Sequence, residues 1–227
     1  MATIADNLQA VNGRIARAAQ AAGRAPESVR LLAVSKTHPA LRIEQAAAAG
    51  QRAFGENYVQ EAIDKMPALP QTLEWHLIGP LQSNKTRLAA ERFDWVHTVA
   101  SEKIARRLSE QRPDGRSPLN VLIQVNASGE ASKSGVAAAE VAALASMIST
   151  FPRIRLRGLM AIPEPGAPRD RFREVRQLYE SLKSECAFDT LSMGMSDDME
   201  LAIAEGSTMV RIGTAIFGAR PKVRSAA

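Results

Sequence analysis

Lys36 is the residue whose chemistry stands out first. It follows residues 31–34, a short apolar run without a polar break, which is typical of a strand buried on both faces in a parallel sheet. Pro39 then prevents further ladder pairing. A primary amine at the carboxyl end of such a strand lies where α/β folds bind ligands. Taken alone, the position indicates a solvated edge lysine more often than a reactive amine.

Hydroxyl and glycine residues follow the last two predicted strands. Ser196 comes after the strand predicted over residues 188–193 and directly precedes a predicted helix, so it can cap that helix while its hydroxyl faces an anion. Gly213 and Thr214 follow the strand over residues 208–212, where the glycine allows close approach of a ligand and the threonine adds a donor. Each feature alone also fits an ordinary cap or turn. Together they match the phosphate-binding loops of α/β barrels.

Other charged residues fall at strands. Arg211 lies within the last predicted strand among apolar residues, and if it points inward it needs a partner or a ligand. Lys133 lies after the fifth predicted strand and is interpreted as an exposed loop lysine unless a ligand phosphate lies nearby. The 3 histidines show no metal-binding spacing, so no metal site is predicted. His76 is expected to flank a planar ligand.

The elements that must position these residues alternate along the chain. Helical segments separate the strands predicted over residues 31–34, 52–57, 73–79, 93–97, 119–126, 154–160, 188–193 and 208–212. Such alternation predicts βαβ units and a parallel sheet. The count favours an α/β fold in which residues 1–227 form a single-domain (β/α)8 TIM barrel. A doubly wound sheet is the alternative, but no Gly-x-Gly-x-x-Gly fingerprint follows a predicted strand.

Composition limits the classes of function. The chain has 227 residues, 45% hydrophobic content and a formal charge of +5 that is spread along the sequence, which fits small anionic ligands at least as well as nucleic acid. Cys186 is the single cysteine and is expected to pack as a small hydrophobe. The sequence shows no signal peptide and no apolar run of membrane-spanning length. A cytoplasmic protein that binds neither nucleic acid nor membrane is therefore expected.

The candidate residues point to one class of ligand. A lysine amine, a phosphate cradle and an arginine between them suit a phosphorylated carbonyl compound held as an imine. Pyridoxal 5′-phosphate has the aldehyde, the phosphate and a planar ring whose nitrogen can face Arg211. An aldolase that uses Lys36 without a cofactor is the alternative left open by the residues alone.

Several motifs carry a family resemblance that runs nearly end to end. The chain resembles the pyridoxal-phosphate homeostasis protein family, whose fold is similar to the N-terminal barrel of alanine racemase. The motifs are Leu-Ala-Val-Ser-Lys-Thr at residues 32–37, Phe-Gly-Glu-Asn-Tyr at 54–58, Trp-His-Leu-Ile-Gly-Pro-Leu-Gln-Ser-Asn-Lys at 75–85, Gly-Leu-Met at 158–160, Ser-Met-Gly-Met-Ser-Asp-Asp-Met at 192–199 and Arg-Ile-Gly-Thr at 211–214.

The resemblance implies how the cofactor is held. Lys36 is expected to form the internal aldimine with pyridoxal 5′-phosphate. Ser196, Gly213 and Thr214 are expected to hold the phosphate, and Arg211 to face the pyridine nitrogen. An arginine in that place keeps the nitrogen unprotonated, because a permanent cation disfavours a second positive charge.

The resemblance also implies supporting residues. Gly194 and Met195 are expected to shape the phosphate loop, and Asn57 and His76 to line the ring. Lys133 matches a family lysine thought to interact with the cofactor during exchange.

The implied function is a carrier and regulator of pyridoxal 5′-phosphate without an established turnover reaction, and no catalytic residue is predicted. The chain has no β domain like the one that supplies a catalytic tyrosine in alanine racemases, so a monomer with an open cofactor face is expected, with apo-enzymes as recipients. The alternative is a pyridoxal-phosphate-dependent amino-acid racemase.

The sequence departs from the family at His38, where many members carry a second lysine, and in residues 221–227, which have no match.

Overall fold

Eight parallel strands pair in chain order, and the last pairs with the first to close a barrel. The computed structural model describes residues 2–128 and 134–219. The strands are β1 (Arg30–Val34), β2 (Ala53–Glu56), β3 (Glu74–Leu77), β4 (Trp95–Val99), β5 (Leu119–Val125), β6 (Ile154–Ala161), β7 (Thr190–Ser192) and β8 (Met209–Ile212). Each predicted strand corresponds to one of these, so the predicted (β/α)8 TIM barrel is confirmed.

Helices precede, separate and follow the strands and form the outer layer. They are α1 (Ile4–Ala21), α2 (Ala40–Ala48), α3 (Val59–Lys65), α4 (Thr86–Arg92), α5 (Glu102–Gln111), α6 (Val141–Ser149), α7 (Arg169–Lys183), α8 (Met199–Ala204) and α9 (Thr214–Phe217). Helix α1 begins where the sequence predicts, with a capping box between Thr3 and Asp6. Ser101 likewise caps α5 through the Ile104 amide.

One predicted cap is wrong. Helix α8 begins at Met199 with Asp198 as its N-cap residue, so Ser196 lies two positions too early to cap it. The Asp198 carboxylate instead accepts a hydrogen bond from the Met195 amide, 2.5 Å away, which keeps the residues before the helix in a turn. Ser196 is therefore part of a loop and not of a helix end.

The main apolar core lies between the barrel and the helices. Outward-facing strand residues such as Phe54, Leu77 and Val121 are fully buried there. Helix α1 contributes Leu8 and Val11, among others, to the same core. Burying each such side chain favours folding by about 1.5–3 kcal/mol, so this layer supplies most of the stability that fixes the strand ends in place.

The inside of the barrel is different. Its apolar side chains form two small clusters that are separate from the main core: Leu32, Ala53 and Met209, and Trp95, Leu122 and Met160. Polar side chains that alternate with the outward-facing residues occupy the rest of the interior, and they include Glu74, His76, His97, Ser192 and Arg211. Bulky branched residues usually fill this space in α/β barrels.

Candidate functional site

A cavity of about 320 Å³ opens at the carboxyl ends of the strands. Most of the residues predicted from the sequence meet in it, although they come from loops far apart in the chain. Its lining consists of Val34, Lys36, His38, Asn57, Ile78, Ile162, Met195, Ser196, Asp197, Arg211, Gly213 and Thr214. The cavity therefore combines an amine, hydroxyl donors and a buried guanidinium.

Buried polar contacts hold the chain just before Lys36. The Ser35 hydroxyl donates to Glu56 Oε1 over 2.7 Å, and Lys65 Nζ lies 2.9 Å from the same oxygen and 3.2 Å from the Ser35 carbonyl oxygen. Burial raises the pKa of Glu56, while Lys65 and the Ser35 hydroxyl act to lower it. Strand β2 and helix α3 thereby fix the point at which Lys36 leaves β1.

The residue after Lys36 is held as well. Thr37 has a φ of 65°, a left-handed conformation that is uncommon for a threonine. Its amide donates to Glu61 Oε1 over 2.6 Å, and Lys65 Nζ lies 2.5 Å from that oxygen. One carboxylate and one ammonium on α3 thus set the backbone on both sides of Lys36.

The loop after β7 is fixed from behind the cavity. Gly194 has a φ of 99°, which favours glycine, and a Cβ there would lie 2.6 Å from the Cβ of Ala202. Arg14 on α1 donates to the Ser196 carbonyl oxygen over 3.2 Å and pairs with Glu200 at 2.9 Å. Gly194 itself is not among the lining residues, whereas Met195 and Ser196 are.

The end of β8 lies close to the end of β1. A Cβ on Gly213 would come within 3.2 Å of the Val34 carbonyl oxygen. Glycine therefore lets the two strand ends approach each other and brings Thr214, the first residue of α9, to the cavity wall. The sequence predicted close approach to a ligand at this position, and the structure shows close approach to a strand.

Arg211 is 4% exposed and reaches the cavity floor. Its Nη1 donates to the carbonyl and hydroxyl oxygens of Ser192 over 2.8 and 2.9 Å, and its Nη2 donates to the Ala161 carbonyl oxygen over 2.9 Å. Burial lowers the pKa of Arg211 to about 10, with Asp198 acting to raise it. The guanidinium remains a cation at neutral pH, and its orientation is set by β6 and β7.

His76 does not lie where the sequence predicted. Its side chain is fully buried and is not among the residues that line the cavity, so it lies beneath the site. Its ring nitrogens contact Glu74 Oε1 at 2.6 Å and His97 Nε2 at 2.9 Å, and its ring stacks on Trp95. Glu74 and His76 are two residues apart in β3, so their side chains point to the same face of the strand. This spacing is the sequence signal that both lie on the inner face of the barrel.

Two further positions complete the comparison with the sequence prediction. His38 lines the cavity and stacks on Phe217 with ring centroids 5.1 Å apart, although it was not predicted as a site residue. Lys133 lies outside the described residues.

Within residues 2–128 and 134–219, no group of three or more His, Cys, Asp or Glu side chains is placed to hold a metal ion, and no helix is long and apolar enough to cross a bilayer.

Comparisons with known proteins agree with this geometry. The family model described as the alanine racemase N-terminal domain matches residues 7–221. The chain is 60% identical over 225 residues to the pyridoxal phosphate homeostasis protein of Pseudomonas aeruginosa, with 97% of each chain covered. This chain belongs to that family. It is also 57% identical over 229 residues to the Escherichia coli K12 homeostasis protein, covering 97% of this chain and 98% of that protein.

A solved member of the same fold has been seen with the cofactor. The structure of PipY from Synechococcus elongatus with PLP bound matches with a TM-score of 0.81 and 40% identity, and the match covers 95% of this chain and all of that one. The structure of PipY without PLP matches with a TM-score of 0.85. The chain is thus a pyridoxal phosphate homeostasis family member with a barrel of the alanine racemase N-terminal type.

Proposed function

We propose that this protein binds pyridoxal 5′-phosphate in the carboxyl-end cavity and takes part in homeostasis of that cofactor, with Lys36 holding it as an aldimine. The observation that carries the proposal is that Lys36 and Arg211 line the same cavity as Ser196, Gly213 and Thr214. The PLP-bound structure of PipY, a relative of 40% identity, supports the choice of ligand.

The residues present fit this cofactor. The Lys36 amine would join its aldehyde carbon with release of water, and the hydroxyls of Ser196 and Thr214 would donate to the phosphate. When bound, the cofactor supplies an aldehyde and an electron-withdrawing ring. Arg211 would disfavour protonation of the ring nitrogen, since both charges would be positive in a buried place. A ring held in this way is a weak electron sink, which suits carriage of the cofactor more than carbanion chemistry.

The proposal extends to partners and supporting residues. Asn57 lines the same cavity as Lys36 and would contact the ring, and Met195 would shape the phosphate side. Lys133, by its match to the family lysine, would interact with the cofactor during exchange. We propose that the protein acts as a monomer, without catalytic turnover, and that apo-enzymes accept the cofactor from it.

A lysine substitution tests the anchor. Purified protein titrated with pyridoxal 5′-phosphate should gain the visible absorbance of a protein-bound imine. Lys36→Ala should lose it, whereas Lys103→Ala, which changes an exposed lysine on α5, should keep it. Borohydride reduction followed by peptide mapping should place the added mass on Lys36. The absence of imine absorbance in the unmodified protein, or its survival in Lys36→Ala, would overturn the proposal.

Racemisation of amino acids is the second candidate, and one observation favours testing it. Lys36 and His38 both line the cavity, and together they are two groups able to move protons. We expect no cofactor-dependent conversion between L- and D-amino acids above the background of free pyridoxal 5′-phosphate. Chiral chromatography after long incubation with each amino acid measures this. Conversion that is lost in His38→Ala would favour the racemase.

A further inference from the structure

A column of polar side chains crosses the barrel interior and ends at the cavity. Arg211 Nη1 lies 2.9 Å from the Ser192 hydroxyl oxygen, which lies 3.3 Å from His97 Nδ1. His97 Nε2 lies 2.9 Å from His76 Nδ1, and His76 Nε2 lies 2.6 Å from Glu74 Oε1. We call these five residues the interior relay. It links the buried guanidinium to the opposite, amino-terminal end of the barrel.

The carboxylate at the far end sets the direction of the relay. Burial acts to raise the pKa of Glu74, but the hydrogen bond from His76 and the Arg30 guanidinium, 3.0 Å away, lower it to about 2. Glu74 is therefore ionised at neutral pH and can only accept a hydrogen bond. His76 must carry its proton on Nε2, the nitrogen that faces Glu74.

The positions of the other protons in the relay follow from the proton on His76 Nε2. Burial lowers the pKa of both His76 and His97, so each ring is neutral and has one donor and one acceptor nitrogen. His76 Nδ1 must accept, so His97 donates from Nε2 and accepts at Nδ1. The Ser192 hydroxyl then gives its hydrogen to His97, which leaves its oxygen lone pairs for Arg211. In each hydrogen bond of the relay, the donor hydrogen therefore points toward the Glu74 end.

We propose that Glu74, His76, His97 and Ser192 are positioning residues that hold the Arg211 guanidinium, through this one-directional relay, in the orientation that faces the pyridine ring. The inference rests on the proposed function for the identity of the ring, but the relay itself is a property of the protein alone. Its effect at the cavity is that His97 accepts from the Ser192 hydroxyl and does not donate to it, so Arg211 does not share the Ser192 oxygen with a second donor. When Glu74 loses its negative charge, residue 74 no longer has to accept, and the hydrogen bonds of the relay are no longer held in one direction.

The surroundings favour a functional reason for the relay. Burying polar groups in a barrel interior is tolerated only when each has a partner, and an apolar filling is the usual solution. The relay is shielded on one side by Trp95, which stacks on His76 and meets His97 edge-on. The charged groups that act on the two histidines come from β1, β3, β8 and the residue just before β4: Arg30, Glu74, Arg211 and Asp94.

The first test uses the cofactor-free protein. Nitrogen-15 spectra of the labelled histidine rings report which nitrogen carries the proton. We expect His76 and His97 to be neutral with the proton on Nε2 in both, at neutral pH. In Glu74→Gln, which keeps the size but can donate as well as accept, both rings should show a mixture of tautomers. His97 does not touch residue 74 in the relay, so a change there is a response that local packing does not produce.

The second test uses the loaded protein. His97→Leu removes both the donor and the acceptor, and we expect pyridoxal 5′-phosphate to dissociate about fivefold more readily and the imine absorbance to shift. His97→Gln, whose amide can both donate and accept, should recover part of the affinity and the spectrum. Met160→Leu changes a buried interior residue off the relay and should leave both unaltered.

The outcomes separate the two proposals. If the unmodified protein forms no imine, the proposed function fails, while the histidine spectra still decide the relay. If the protein binds the cofactor but His97→Leu and Glu74→Gln match it in affinity and absorbance, the positioning role fails and the function stands. A proton on Nδ1 of His97 in the unmodified protein, or a His97 spectrum unchanged in Glu74→Gln, also overturns the relay.

Discussion

Gly79 shows how a single position can decide the shape of the cavity wall. A Cβ at this residue would lie 2.2 Å from the carbonyl oxygen of Asn57, which belongs to the backbone and cannot rotate away. The Gly79 carbonyl oxygen also accepts a hydrogen bond from Thr98 over 2.8 Å. The loops after β2 and β3 are therefore pressed together, and Asn57 is held at the cavity by that contact.

We expect Gly79→Ala to reduce the free energy of unfolding by about 1–3 kcal/mol, because the added methyl group overpacks two backbone segments. It should also weaken cofactor binding by moving Asn57. Gly115→Ala is the matched control, since no atom lies within 4 Å of its added Cβ, and it should be neutral or slightly stabilising. Urea denaturation measures both. Equal stability of the two variants would contradict the prediction.

Residue types alone predicted much of the cavity and little of what lies under it. Lys36, Ser196 and Thr214 are recognisable because each follows a strand that the sequence marks clearly. His97 and Ser192 gave no such signal, since their role depends on which strands face each other across the barrel. The placement of His76 went wrong for the same reason: adjacency to an aromatic residue does not reveal which face of a strand is inward.

Helix α3 connects the fold to Lys36, because it supplies two of the three charged groups of the clamp around the Lys36 turn. We define this clamp as Glu56, Glu61 and Lys65. Lys65→Met should lower the free energy of unfolding by about 3 kcal/mol, since it leaves the fully buried Glu56 carboxylate without its cation. The imine of Lys36 should also form more slowly, as the turn that presents it loosens. Chemical denaturation and stopped-flow absorbance measure the two effects.

A second variant tests whether the unpaired charge is the cause. Glu56→Gln combined with Lys65→Met removes the buried charge along with its partner, so it should recover part of the stability lost in Lys65→Met alone. Lys103→Met is the control on an exposed face of α5 and should change stability by less than about 0.5 kcal/mol. A double variant no more stable than Lys65→Met would show that packing of the lysine stem, and not its charge, supports the turn.

The sequence predicts elements better than it predicts their ends. Apolar runs and alternation with helices identified every strand, because buried parallel strands have few polar interruptions. The start of α8 was misplaced because Ser196 and Asp198 are both acceptable capping residues. The choice between them is made by the Met195 amide, which bonds to Asp198 and keeps Ser196 in the loop. That contact depends on the tertiary course of the loop.

At the scale of the molecule, closure of the barrel brings the site together. Pairing of β1 with β8 places Leu32 opposite Arg211 and so brings the Lys36 turn beside loops much later in the chain. Counting alternating elements favoured this closure over an open sheet, but the count alone does not reveal the register. The register also decides which polar residues meet inside the barrel, which is why the interior relay could not be predicted from the sequence.

The same polar interior gives the whole molecule a dependence on pH. His76 and His97 are fully buried with lowered pKa values in the folded state, whereas in the unfolded chain each titrates near its ordinary value of 6.5. Below that value the unfolded state binds protons that the folded state does not. The free energy of unfolding therefore falls as pH falls through 6.5 and is independent of these groups above it.

We expect the free energy of unfolding to drop between pH 7.5 and 5.5 by at most about 1.4 kcal/mol for each of the two histidines. This window lies above the ordinary pKa of carboxylates such as Glu74, so their lowered values add nothing until the pH falls further. Urea denaturation at several pH values measures the slope. In the double variant that combines His76→Gln with His97→Gln, most of this dependence of the free energy of unfolding on pH should disappear. An unchanged dependence in the double variant would assign the acid sensitivity to other groups.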